Sequence, residues 1–286
     1  MMAKIIAAVI GSAALTGVVY EVQPNNDVSQ TQINPASDSP TKNKLELNIY
    51  HSLFKVFVHE NDYVTDDDAK IWNHAEFELK PELADLYDEL GVTNHPQNTI
   101  VISPVFTAMA YSDHGFYSYY KKECDTSCLT VNIADDPSSY HSSENGIKIL
   151  KLLGYSFITD IDIDKNPNIL SKYDKVILLH NEYVTKNEFD AITSHPNVIY
   201  LYPNSLFAEI KADYDANTIT LIRGHYYPDK EIANGFGWKF DNTNYEEDKE
   251  CKNMFFYKID NGYMLNCFPV NMIYKGKLLL KQIKDF

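Results

Sequence analysis

Two stretches of continuous apolar sequence constrain this chain more than any other feature: residues 175–180 (KVILLH) and 197–202 (NVIYLY), with a helical segment over 186–194 between them. A strand that is apolar at every position is covered on both faces, and strands separated by helices pair in parallel. The alternation starts earlier. Residues 99–106 (TIVISPVF) are a β-branched run ending in a polar and aromatic loop, residues 145–153 (NGIKILKLL) are helical, and residues 156–163 (SFITDIDI) read as a strand with its loop. This pattern predicts a flavodoxin-like α/β core over residues 97–206.

Ahead of the core, Leu79, Leu83, Leu86, Tyr87 and Leu90 recur at helical spacing, Pro81 suits a first turn and Gly91 a carboxyl-terminal cap. Residues 45–96 are therefore expected to be a mainly helical addition. After residue 206 the alternation stops. Residues 209–214 and 218–223 flank Asp-Ala-Asn, and residues 254–259 and 263–268 flank Asp-Asn-Gly, which predicts a β-rich extension of two hairpins over 207–286, extending or capping the sheet. A two-residue turn at Asn261-Gly262 is expected for the second hairpin.

Residues 5–20 form an apolar run broken only by Ser12 and Thr16, preceded by Lys4 and followed by Glu21. Such a run spans roughly 24 Å, short of the ~30 Å hydrocarbon core, and reads as an export signal or a short membrane anchor over residues 1–22. Residues 23–44, rich in Asn, Ser, Thr, Gln and Pro, read as a flexible linker. Residues 45–286 then make one α/β domain. Four cysteines suit an exported protein: Cys124 with Cys128 and Cys251 with Cys267 are expected as disulfides, four-thiolate zinc being the poorer match to the spacing. If Asn261-Gly262 is the turn, Cys251 and Cys267 are not opposed, so a bend before Met254 is needed. With 40 acidic against 25 basic residues and a formal charge of −15, nucleic acid is excluded as a partner, and the membrane is met only through the amino-terminal segment.

In an open parallel sheet, ligands bind beyond the carboxyl ends of the strands at a topological switch point. That rule selects His180-Asn181-Glu182-Tyr183 after one strand, Tyr202-Pro203-Asn204 after the next, and the aromatic loop holding Tyr111, His114, Tyr117, Tyr119 and Tyr120 after the first. No cysteine stands where a class I glutaminase carries its nucleophile and no G-x-S-x-G elbow is present, which excludes glutamine amidotransfer.

Four blocks, SPVFTAMAYSDHGFYSYY, GYSFITDIDID, YDKVILLHNEYVTKNEFDAI and LYPN, resemble the carboxyl-terminal domain of the N,N-dimethylformamidase large subunit and its relatives, a branch of the class I glutamine amidotransferase-like fold. The resemblance covers residues 99–204. It implies hydrolysis of a small amide with iron, or another divalent or trivalent metal, held by tyrosines and a glutamate. Carried over by position, Glu182 and Tyr111 are metal ligands, with Tyr117 or Tyr119 a second phenolate. His180 is the neighbouring acid, base or hydrogen-bond donor, and Asn204 a polar orienting group. Asn181 stands where the family carries an acidic residue, and Val184 where it carries tryptophan. Carboxylate and phenolate are hard donors suited to a Lewis-acidic ion, and a histidine beside them can move a proton.

Each assignment has a structural counterpart. Glu182 suits a helix-capping carboxylate, His180 a hydrogen-bonded core imidazole, the tyrosines core aromatics, and Asn204 a turn residue. Arg223, the lone arginine, with His225 nearby, could clamp a substrate carboxylate or make a surface salt bridge. The EEDKE run at 246–250 is a solvated loop or a weak calcium site. Two functions follow as expectations: an exported metal-dependent hydrolase of a small amide or related carbonyl compound, or a non-enzymatic extracellular binding or envelope-associated module that keeps the fold without the chemistry and meets an extracellular ligand.

Overall fold

The computed structural model describes residues 18–19, 44–66, 69–112, 114–133, 141–240, 245 and 248–286. The expected signal or anchor and the linker lie outside these, apart from Val18, Val19 and Lys44. Residues 44–78 correct the expected helical addition: they are strands. β1 (Val18–Val19), β2 (Lys44–Leu47), β3 (Lys55–His59), β4 (Tyr63–Asp66), β5 (Ala69–Trp72) and β6 (Glu76–Glu78) form two small antiparallel sheets, β1-β5-β4 and β2-β3-β6. The reason is local period. In β3, Val56 and Val58 are buried while Lys55 and Phe57 are less so, a repeat of two. The leucine repeat belongs only to the 3₁₀ turn Pro81–Leu83 and α1 (Ala84–Leu90). Pro81 opens that turn as expected. Gly91 follows α1 in extended backbone rather than a left-handed cap; a Cβ there would lie 2.8 Å from the carbonyl oxygens of Leu153 and Tyr87.

The core continues through β7 (Thr99–Ser103), α2 (Val105–Ala110), α3 (Phe116–Tyr120), β8 (Thr130–Asn132), α4 (His141–Leu152), β9 (Ser156–Thr159), α5 (Asp160–Lys165), β10 (Lys175–Leu178), β11 (Tyr183–Thr185), α6 (Lys186–Ser194) and β12 (Val198–Tyr200). Then come β13 (Ala208–Asp213), β14 (Thr218–Arg223), β15 (Phe256–Ile259), β16 (Gly262–Leu265) and α7 (Lys277–Asp285). Six of these are not foreseen from the sequence: α2, α3, β8, α5, β11 and α7. Residues 105–110 and 160–165 are helices rather than loops. In the second, the Thr159 hydroxyl accepts from the Asp162 amide while the Asp162 carboxylate accepts from the Thr159 amide, a reciprocal cap. The carboxyl terminus ends in a helix, not β structure, because Leu279, Leu280 and Ile283 share one buried face.

The molecule is a mixed α/β protein whose main sheet runs β9-β7-β10-β12-β16, all parallel, with β15 added antiparallel at one edge. The continuous apolar runs follow from coverage on both sides. Val101, Ile177 and Ile199 pack with Ile149 and Leu150 of α4 and with Leu279, Leu280 and Ile283 of α7. Their neighbours Ile100, Ile102, Val176, Leu178 and Val198 pack with Ile163 of α5 and Ile192 of α6. The chain leaves β7 outward to β9, then crosses back to β10. The crevice beyond the carboxyl ends of β7 and β10 is thus the switch point of the sheet.

The two hairpins part company. β13 and β14 do not extend the main sheet; with β11 and β8 they form a separate four-stranded sheet, β11-β13-β14-β8, packed against α2. β15 and β16 do extend it, but Ile259 pairs with Gly262, so the turn is Asp260-Asn261 rather than Asn261-Gly262. Both cysteine pairs are disulfides, Cys124–Cys128 and Cys251–Cys267. The bend needed before Met254 occurs at Cys251 itself, which has φ +49°. Such cross-links persist in oxidising compartments. Among the described residues no helix is long and apolar enough to cross a membrane.

Candidate functional site

The segment between β10 and β11 is held by its own backbone bonds. The His180 amide donates to Ser143 Oγ at 3.1 Å and the Asn181 amide to the Leu179 carbonyl at 2.8 Å. Thr107 Oγ1, on α2, accepts from the amides of both Glu182 (3.0 Å) and Tyr183 (3.1 Å). The Asn181 carbonyl accepts from Leu206, and the Glu182 carbonyl from Phe207 and Ala208. A buried non-helical segment whose amides and carbonyls are paired costs no desolvation penalty and holds its Cα positions. His180 and Glu182 therefore project from a rigid base at the switch point.

Five side chains from four parts of the chain meet there. Tyr111 Oη, just past α2, donates to Glu182 Oε2 at 2.6 Å, and Tyr117 Oη, on α3, donates to Tyr111 Oη at 2.6 Å. On the other carboxylate oxygen, His225 Nε2 lies 2.6 Å from Oε1. His180 Nε2 approaches Oε2 to 3.4 Å. The rings are packed as well: His180 stacks on Tyr202 with centroids 4.9 Å apart, and His225 on Tyr183 at 5.2 Å.

His225 reaches Glu182 through an unusual turn. Gly224, His225 and Tyr226 all have positive φ, at 121°, 50° and 64°. Left-handed backbone costs a residue with a Cβ on the order of 1 kcal/mol, and such conformations persist where surrounding contacts impose them. The His225 and Tyr226 amides bond to the carbonyls of Ala233 and Ile232, and Gly224 crosses Ala208 so closely that a Cβ would lie 2.9 Å from it.

Burial and charge set the protonation states. Burial raises the Glu182 pKa, but the His225 hydrogen bond and charge, with His180 and Tyr111, outweigh it and hold the carboxyl below its ordinary range. Burial pushes His180 down to about 4, against the pull of Glu182 and a hydrogen bond with the Asn204 side chain. At neutral pH the 3.4 Å approach is therefore a neutral imidazole beside a carboxylate, not an ion pair. Burial raises the Tyr120 and Tyr183 phenols well above their ordinary value, so both stay protonated.

Of the residues selected from sequence, the structure brings together Tyr111, Tyr117, His180, Glu182, Asn204 and His225. Tyr119 faces Tyr120 and Tyr227 instead. Arg223, expected either as a carboxylate clamp or in a surface salt bridge, is exposed opposite Glu209 in the β13–β14 pair and makes no ion pair among the described residues. Of the EEDKE run, residues 246 and 247 lie outside the described residues. Thr107 and Ser143 were missed, because a hydroxyl that anchors a distant amide leaves no local pattern. A cavity of about 420 Å³ lined by Phe189, Phe236, Trp238 and Asp260 shares no residue with this cluster.

Among the described residues no three His, Cys, Asp or Glu side chains form a metal-binding group. The converging set is two phenols, one carboxylate and two imidazoles. Oxygen ligands with ~2.1 Å bonds to one ion stand about 3 Å apart, so contacts of 2.6 Å would need to open only slightly to admit a hard cation. Tyr111, Tyr117 and Glu182 are the residues that could hold such an ion. Comparison with protein-family models and with curated proteins finds no match to the chain.

Proposed function

We propose that the chain is an exported, flavodoxin-like protein of the class I glutamine amidotransferase-like type, acting as a metal-dependent hydrolase on a small amide or related carbonyl compound. The strand order β9-β7-β10-β12-β16 supports the fold reading, and the resemblance to the N,N-dimethylformamidase family supports the chemistry. The observation that carries the proposal is the run of 2.6 Å contacts from Tyr117 through Tyr111 and Glu182 to His225, at the switch point.

Tyr111, Tyr117 and Glu182 would hold iron or another hard divalent or trivalent ion, which would supply Lewis acidity toward the substrate carbonyl when bound. The chain does the rest. Glu182, ionised at neutral pH, supplies the fixed negative charge. His180, with its basicity suppressed by burial, serves as a neutral hydrogen-bonding group held by Asn204. His225, whose side chain is 21% exposed and whose Nε2 is hydrogen-bonded to Glu182, is the group placed to pass a proton between the substrate and solvent. Proton handling thus moves from His180, where the sequence reading put it, to His225.

The test is metal analysis of the purified protein, and of protein reconstituted with ferric iron, beside Tyr111→Phe and Glu182→Ala. The expected result is bound iron with a visible phenolate absorption that both substitutions abolish; protein that stays colourless and metal-free after reconstitution defeats the proposal. One observation favours the non-enzymatic binding module. Glu182 and His180 are 1% and 2% exposed, and both Glu182 oxygens are already engaged. Under that reading the network is structural, and Glu182→Gln leaves ligand binding at the surface unchanged.

A further inference from the structure

Asn181, between His180 and Glu182, turns its side chain away from them toward the first turn of α6. There Asn181 Nδ2 donates to Glu188 Oε1 at 3.5 Å. Both residues are fully buried, and the two remaining atoms, Asn181 Oδ1 and Glu188 Oε2, have no hydrogen-bond partner. Each is an acceptor if Glu188 is ionised, and two orphaned buried acceptors carry a heavy desolvation penalty. A single proton removes the difficulty. A carboxylic acid and a carboxamide can pair head to head, the amide N–H donating to the acid carbonyl and the acid O–H to the amide oxygen.

We propose that Glu188 carries a proton at neutral pH and donates it to Asn181 Oδ1, closing a two-bond acid–amide pair that ties α6 to the turn bearing His180 and Glu182. Glu188 is thereby a positioning residue for that turn. The surrounding charges agree. Asp160 and Asp164 of α5 face Glu188, and burial with their charges raises its pKa well above the ordinary carboxylate value. Among the described residues no cation offsets them: Lys186, on the same helix, is exposed and pairs with Asp190, and Lys165 lies over the Tyr214 ring.

The proton belongs on Glu188 rather than on neighbouring Asp160. Burial raises the Asp160 pKa as well, but its two oxygens each accept a backbone amide, from Phe106 and Ile161, both at 2.9 Å, and these bonds favour its charged form. The amide donors to Glu188 are fewer, and one of its oxygens has none.

The experiment is infrared spectroscopy of the full chain at neutral pH with isotope-labelled glutamate or aspartate, together with thermal unfolding of wild type and Glu188→Gln across pH. The expected result is a protonated carboxylic acid band that shifts with labelled glutamate and vanishes in Glu188→Gln. The unfolding data should diverge with a definite sign. The folded pKa is raised, so the native state holds an extra proton above the unfolded value near ~4.3, and wild type loses stability relative to Glu188→Gln as pH rises. The gap should widen by roughly 3–5 °C per pH unit until Glu188 ionises. No acid band, a band that shifts only with labelled aspartate, or parallel unfolding curves each overturn the proposal. If Glu188→Gln does not fold, the labelled wild type alone decides. Metal content is not read at any step, so failure here is separate from failure of the hydrolase reading.

Discussion

Glu182 Oε1 lies 2.6 Å from His225 Nε2 although 43 residues separate them in sequence, and the bond joins the main sheet's switch point to the turn that follows β14. A carboxylate that is 1% exposed depends on such donors. His225→Ala should cost ~2 kcal/mol in denaturant unfolding at pH 7, and His225→Gln, which keeps an N–H donor, should recover part of it. The depressed folded pKa of Glu182 contributes stability that is present above its unfolded value and lost as pH falls through the folded one. The acid limb of the stability curve should therefore be shallower in His225→Ala.

Thr107 serves two buried amides with one hydroxyl. Thr107→Val keeps shape but strands both donors, and should cost ~3 kcal/mol by equilibrium unfolding. Thr107→Ser keeps the oxygen and should lose about 1 kcal/mol, the value of the missing methyl. Equal losses in the two variants would mean that packing, not the hydroxyl, anchors the turn.

His180 contributes to acid lability through its lowered pKa. An imidazole held neutral down to about 4 binds fewer protons folded than unfolded between that value and ~6.5, so its contribution is full above ~6.5 and falls as pH drops. The loss across that window is on the order of 3 kcal/mol. It is measured as the change in unfolding midpoint between pH 7 and pH 4, and His180→Asn should remove most of it.

The two disulfides should differ in access and in worth. Cys251 and Cys267 are buried and 16 residues apart, whereas Cys124 and Cys128 are half-buried and 4 apart. Mild reductant should open the 124–128 bridge first, as read by thiol labelling and peptide mapping. Paired substitution of Cys251 and Cys267 by alanine should cost ~3 kcal/mol, against ~2 kcal/mol for the shorter loop.

Much of the core was legible because its signals are local. The runs KVILL and VIYLY announce strands with two covered faces, and Val176, Ile177 and Leu178 do alternate between two separate cores. Lys186–Ser194 is a helix in sequence and in structure, but its cap is Thr185 rather than Glu182, whose oxygens are taken by Tyr111 and His225. The amino-terminal strands were misread because the leucine repeat at 79–90 was extended backward over short runs of period two. The 105–110 helix was hidden by the β-branched stretch before it, and the position of Tyr111 depends on that helix. Tyr111, Tyr117, His180 and Glu182 were named from the strand-end rule and the family resemblance. Arg223 is singled out by its rarity and its place at a strand end, and it makes none of the contacts that hold the cluster together.

The order of apolar and polar residues along the chain determined, unaided, that parallel covered strands alternate with helices, because burial on one face or two is written into each segment's own periodicity. Only the tertiary structure decided that His225 rather than Arg223 reaches Glu182, that Thr107 anchors the turn beneath it, and that Asn181 meets Glu188. Those contacts arise where segments far apart in sequence cross within hydrogen-bonding distance, and such crossings depend on backbone direction and strand pairing that no local pattern encodes.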